Sequence, residues 1–274
     1  MSPDKEIDFC LLIPCYNNLT GLLASLKSVE YPSAKYLVVI VDDGSREPIS
    51  ADSIRKVLGD KVPFTIVRNE KNTGITAALN NGLKWIMHNA EAKYIARLDC
   101  GDTCNAERFS LQVAYLDAHA EVGLVGSWCR FEDKINSEGY IYKAPAEHKE
   151  IVREMYFRNV FIHPTIMFRS DLLESAGLYP TEFDYAEDYA FCWKLIKLKQ
   201  SFVFQQVLVC CEINKSGLSF SNKSKQLKSR WKVVNKFGSY KSFKIIGLLR
   251  LCLLFLLPKE LILLLKKSVS RASA

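Results

Sequence analysis

The chain has 274 residues, 49% hydrophobic and 24% charged, which suits one large globular domain with an appendage and excludes a disordered or fibrous protein. Its nine cysteines are scattered with no CxxC pair or Cys/His spacing, which excludes a zinc finger and fits reduced thiols of a cytoplasmic protein. The net charge of +7 is uneven: residues 213–274 hold fourteen Lys or Arg against one acid, Glu260, so the first 212 residues are net acidic and the tail suits an anionic surface.

The N-terminus MSPDKEIDFC lacks the apolar core of a signal peptide. FCLLIPCYN (Phe9–Asn17) reads as a buried strand running into a loop, followed by the helical spacing of NLTGLLASLKSV (Asn18–Val29). YLVVIVDDGS (Tyr36–Ser45) is a β-branched strand closed by a turn signal. PFTIVRNE (Pro63–Glu70) is a further strand, leading to a helix over Thr73–Ala90 and a strand over Ala92–Cys100. Beyond these the sequence predicts a helix over Ala106–Ala120 and a strand over Val122–Phe131. A strand-to-helix passage follows over Val160–Gly177, then a helix over Tyr185–Gln200 with Glu187 and Asp188 in its first turn, where the dipole favours acids. Strands alternating with helices imply an α/β fold whose mostly parallel sheet is covered on both faces.

In such sheets ligands sit beyond the carboxyl ends of the strands. Three of the predicted strands end in polar groups: Tyr16-Asn17, Asp42-Asp43, and Asp99 with Asp102 in YIARLDCGD. Asp99 and Asp102 are carboxylates suited to a hard divalent cation, Mg²⁺ or Mn²⁺. A Gly-x-Gly-x-x-Gly loop after the first strand is absent, which argues against a dinucleotide oxidoreductase. IPCYNNLTG lacks the basic loop a nucleotidyltransferase wants there, although a non-catalytic nucleotide-binding protein at a membrane remains an alternative.

The ordered set LIPCYN, VVIVDDGS, RNEKNTGITAALNNGL, YIARLDCGD, HPTIMFR and YAEDYAFCWKL resembles the inverting glycosyltransferases of family 2, with their Rossmann-like GT-A fold, over about residues 9 to 200. The resemblance implies transfer of a hexose or N-acetylhexosamine from a nucleotide-diphosphate donor, a UDP-sugar by preference. Residues 1–104 would then form the nucleotide-sugar half, 105–212 the acceptor half, and 213–274 a helical tail. By the same resemblance Pro14, Tyr16 and Asn17 line the nucleotide pocket, Asp43 accepts the base N–H while Asp42 supports the loop, and Asn72 and Gly74 lie near ribose or phosphates. Asp99 and Asp102 would hold the cation with Asp102 the main ligand, or else Asp99 meets the ribose and fewer protein ligands hold the cation. The usual Asp-x-Asp is broken here, because Gly101 stands where an acid is expected. Arg97 either contacts phosphate or pairs with an acid. Asp188 resembles the base that deprotonates the acceptor, with Glu187, His163 and Arg169 as supporting groups; His163 is equally readable as a satisfied core side chain.

The stretch Ile245–Leu265 is mostly apolar, yet Arg250, Pro258, Lys259 and Glu260 interrupt it. An in-plane helix or helical hairpin with lysines near lipid phosphates fits this pattern better than a membrane span. An enzyme so held on the inner face of the cell membrane would glycosylate a lipid-linked saccharide. The resemblance to bacterial surface-polysaccharide enzymes of the O-antigen and capsule type agrees with that and leaves nucleic acid without a role.

Overall fold

A computed structural model of the chain describes residues 7–33, 35–133, 138–213 and 223–256. Among these, nine strands form one sheet in the order β3-β2-β1-β4-β8-β6-β9-β5, with β7 paired to β6. The parallel half comprises β1 (Ile7–Cys15), β2 (Tyr36–Asp42), β3 (Phe64–Arg68) and β4 (Ala92–Arg97). Along β1 and β2, alternate residues enter opposite cores: Cys10, Leu12, Val39 and Val41 on one face, Phe9, Leu11, Val38 and Ile40 on the other. Burial on both faces explains why these strands read as unbroken apolar runs. Between them lie α1 (Leu19–Lys27), capped by Asn18 Oδ1 accepting from Gly21 N at 3.0 Å, α2 (Ala51–Leu58) and α3 (Ile75–Asn89).

The second half departs from simple alternation. β5 (Thr103–Cys104), α4 (Arg108–Ala118), β6 (Val122–Asp133), β7 (Glu138–Tyr142) and α5 (His148–Glu154) precede a 3₁₀ turn at His163–Thr165. β8 (Met167–Arg169) runs antiparallel to both β4 and β6, and so joins the two halves into one sheet. α6 (Leu172–Ala176) and α7 (Glu187–Leu198) lead to β9 (Gln200–Glu212), parallel to β6 and bulged at three points along their pairing. β9 was not foreseen: Gln205 and Gln206 interrupt its apolar run and hide the strand period. HPT of HPTIMFR turns as a 3₁₀ segment because Pro164 withholds the amide a strand ladder needs.

In the basic tail, α8 (Lys223–Phe237) and α9 (Lys241–Leu256) pack on one another. Their connection is pinned by Tyr156, whose hydroxyl accepts from Ser239 N at 2.8 Å and Tyr240 N at 2.9 Å. α9 leaves Ile245, Ile246, Leu249 and Leu253 between 53 and 62% exposed, an unpartnered apolar stripe. No described helix is long and apolar enough to cross a membrane. Residues 257–274, where the second arm of a hairpin was expected, lie outside the described residues.

Gly247 lets α9 approach so closely that an added Cβ would fall 2.2 Å from the carbonyl oxygen of Tyr156. Gly247→Val is therefore expected to lift α9 from the body at a cost of about 1–3 kcal/mol. Faster amide exchange over residues 241–256, with the sheet unchanged, is the expected readout.

Candidate active site

The carboxyl ends of β1, β2 and β4 meet at one rim. Asn17, in the left-handed region at φ 51°, stitches the β1 loop to the β2 loop: its amide donates to Ser45 Oγ at 2.9 Å and its Oδ1 accepts from Arg46 N at 2.9 Å. Tyr16 beside it is 49% exposed and presents its ring at the rim, whereas Pro14 is buried within β1, opposite Val41. Asp42 has no exposed surface and accepts from Ser45 N at 2.9 Å and from the Arg68 guanidinium, so it holds the turn.

Asp43 faces the loop that carries Asn72 and Gly74. Its Oδ1 accepts from Asn69 Nδ2 (2.7 Å), Thr73 N (2.9 Å) and Thr73 Oγ1 (2.7 Å), and its Oδ2 from Gly74 N (3.0 Å). The carboxylate expected at the nucleotide base is thus largely engaged in clamping a loop, with one Oδ2 lone pair left over. Asn72 is exposed, and Gly74 opens α3 at φ +86° with open space where a Cβ would stand.

The third loop is organised by Arg97, which is completely buried. Its guanidinium donates to the carbonyls of Leu12 and Leu98 and to Asp99 Oδ1 at 2.7 Å. Of the two readings open in the sequence, acid pairing is the one the fold adopts; the nucleotide contact is corrected, because no surface of Arg97 reaches the rim. Asp99 retains its Oδ2 with a side chain 39% exposed. Gly101, at φ +104°, turns the chain so that its amide meets Ser25 Oγ at 2.9 Å. That backbone favours glycine and explains the missing acid of the motif. Asp102 sits deeper, 8% exposed, with Oδ1 accepting from Glu212 N at 3.1 Å. Burial, then the nearby charge of Asp99, push its carboxyl up to about 7.

The acceptor half brings Glu187 and Asp188, at the start of α7, to the same space. Burial raises Asp188 to about 6, and the charge of Asp99 opposes its ionisation. Burial and then Asp188 raise Glu187 to about 7, with Asp99 again contributing. Asp99 is therefore the carboxylate whose charge reaches all three others. Asn159, unnoticed in the sequence, donates from Nδ2 to Asp188 Oδ2 at 2.9 Å, and Tyr142 OH donates to the Asn159 carbonyl at 2.6 Å.

His163 proves to be a part-buried, hydrogen-bonded group: the Tyr179 hydroxyl is 2.7 Å from its Nε2, and burial followed by the charge of Arg97 keeps the imidazole well below its usual pKa, hence neutral. Arg169 is corrected more sharply. It lies opposite Tyr94 near the start of β4 and donates to the carbonyls of Val122, Leu116 and His119, closing the end of α4 far from any phosphate position. Neither Asn159 nor Tyr142 carries a motif; the fold alone reveals them.

Asp99 and Asp102 fit a hard cation. They are neighbouring oxygen donors whose mutual repulsion a cation would relieve, and among the described residues no third His, Cys, Asp or Glu completes a cage. That is the donor set of an ion held by one or two carboxylates, water and substrate phosphate.

A family described as "Glycosyl transferase family 2" matches residues 10–176. The chain is 33% identical over 195 residues to the amylovoran biosynthesis glycosyltransferase AmsE of Erwinia amylovora, spanning 69% of this chain and 70% of that one. It is 33% identical over 161 residues to the Escherichia coli UDP-Gal:alpha-D-GlcNAc-diphosphoundecaprenol beta-1,3-galactosyltransferase, spanning 57% and 55% of the two chains. Among solved structures, the mannosyltransferase PcManGT of Pyrobaculum calidifontis, in complex with GDP-Man and Mn²⁺, superposes with a TM-score of 0.62 at 15% identity. That match covers 99% of this chain and 82% of that one.

Removing Asp99 would leave the buried guanidinium of Arg97 uncompensated. Asp99→Ala is expected to lower stability by roughly 3 kcal/mol in urea titrations run without donor or cation. A residue present only as a ligand would leave that midpoint unmoved.

Proposed function

The chain belongs to glycosyl transferase family 2, and on that premise we propose that it inverts the anomeric centre as it moves a hexose or N-acetylhexosamine from a UDP-sugar to a lipid-linked saccharide. The observation that carries this reading is that the start of α7 and the loop after β4 bring Asp188 and Asp102 within the field of one carboxylate, Asp99. The AmsE and diphosphoundecaprenol relatives support a surface-polysaccharide acceptor, and the latter's UDP-galactose supports the donor class.

Tyr16 and Asn17 bind the nucleotide from the β1 side; the loop clamped by Asp43, with Asn72 and Gly74, approaches ribose and phosphates. Asp99, through its free Oδ2, and Asp102 would hold Mg²⁺ or Mn²⁺, which when bound would offset negative charge on the departing diphosphate. Asp188 accepts the proton of the acceptor hydroxyl as the new C–O bond forms and the bond from anomeric carbon to phosphate oxygen breaks. Glu187 stands beside it, and Asn159 orients its carboxylate. The apolar stripe of α9 and the lysines of α8 attach the enzyme peripherally to the inner face of the cell membrane, near a lipid-borne acceptor.

Asp188→Asn is expected to reduce transfer by about 10²–10⁴-fold while donor affinity, read by calorimetry, stays near that of the parent; lost donor binding would contradict the base role. Because burial holds Asp188 up to about 6, its basic form is lost as pH falls through that value. The rate should fall on an acidic limb centred near 6, well above the usual carboxylate range.

Attachment has its own test. Leu249→Glu with Leu253→Glu places charge on the exposed stripe and should abolish co-sedimentation with anionic vesicles. Unchanged pelleting by the double variant would refute attachment through α9.

A further inference from the structure

α8 crosses the start of α7 and delivers one basic side chain inward. Lys225, Lys228, Lys232 and Lys236 lie on exposed parts of this helix, but Arg230 is half-buried, with its guanidinium 5.8 Å from the ring of Tyr189, the neighbour of Asp188. Its Nε is buried and has no hydrogen-bond partner among the described residues. Leaving a buried donor without an acceptor is costly, and more so for a charged group. The charge of Arg230 acts on Asp188, Tyr189 and Tyr142. Tyr142 in turn holds Asn159, which holds Asp188. A cation with an unfilled donor thus stands behind the base, on the element that also carries the basic tail.

We propose that Arg230 is an anion subsite for the acceptor, binding the phosphate that links the acceptor saccharide to its lipid. The proposal rests on the reading of the acceptor as lipid-linked. A guanidinium is the side chain suited to a phosphate, because its planar fork supplies parallel N–H donors to two oxygens. A phosphate on the accessible Nη groups of Arg230 would fix the first sugar beside Asp188. The donor diphosphate belongs to the other end of the cleft, at Asp99 and Asp102. In this arrangement α8 is part of the acceptor site as well as a link to the membrane stripe of α9.

The test uses the full chain and two acceptors that share one saccharide, the first on a short-chain polyprenyl diphosphate and the second a phosphate-free alkyl glycoside. Assays run at pH 8, so that Asp188 is ionised whether or not Arg230 is present. Arg230→Gln is expected to raise KM for the diphosphate acceptor at least tenfold. KM for the glycoside and the rate of donor hydrolysis without acceptor should stay within twofold of the parent. Arg230→Lys, which keeps the charge but loses the fork, should fall between; it also serves if the Gln variant melts early. Equal effects on both acceptors would overturn the subsite, and so would a raised KM for the donor. A parent enzyme that hydrolyses donor but uses the glycoside and refuses the diphosphate would instead overturn the lipid-linked reading itself.

Discussion

A fully buried guanidinium sits where the parallel and antiparallel halves of the sheet join, and the geometry of the site follows from it. Arg97 ends β4, whose neighbours are parallel β1 on one side and antiparallel β8 on the other. It binds the carbonyl of Leu12 across the first boundary, and its Nε lies 3.5 Å from His163 Nε2, beyond the second. Arg108 of α4 grips the Arg97 carbonyl at 2.7 Å. A charge so placed requires a counterion, and the chain supplies Asp99. The acid whose charge acts on Asp102, Glu187 and Asp188 is therefore held by a structural demand, and its free oxygen is aimed by the bond its other oxygen makes.

The acids gathered around Asp99 oppose folding. A carboxyl whose folded pKa lies above its unfolded value near 4 binds its proton more tightly when folded, so stability falls as pH rises between the two values. Asp102, Glu187 and Asp188 all behave in this sense, chiefly through burial. Near neutral pH the ionisation of these three carboxyls works against the fold. The surroundings hold the cleft in shape: Glu212 N on Asp102, Asn159 on Asp188, and the Arg97 pair on Asp99. Such frustration is ordinary at a site built to receive positive charge or to take up a proton.

Much of the parallel half was legible in the sequence because buried parallel strands announce themselves as continuous apolar runs. Their polar ends, Tyr16-Asn17, Asp42-Asp43 and Asp99 with Asp102, could be read as converging. The second half was harder. β9 is interrupted by two glutamines, and β7 is short. The direction of pairing across β4, β8 and β6 depends on contacts distant in sequence. Side-chain aim was the least legible property. Arg97 and Arg169 look alike beside motif residues, yet one braces Asp99 from within and the other closes a helix at the far edge. Asp43 could be assigned to the correct rim from its motif, but nothing local revealed that it would be occupied by Asn69, Thr73 and Gly74. Asn159 and Arg230 carry no pattern and become meaningful only once α5, α7 and α8 are packed together.

The clamp made by Asp43 has a kinetic meaning. Four donors from residues 69–74 converge on one carboxylate with no ligand needed to draw them there. The conformational freedom of that loop is surrendered during folding, so an arriving nucleotide does not have to order it. Under the proposed function such a loop is a finished wall of the donor site. Selection among donors would then act on how well a ligand matches a fixed contour, and it would show in residence time more than in the rate of encounter.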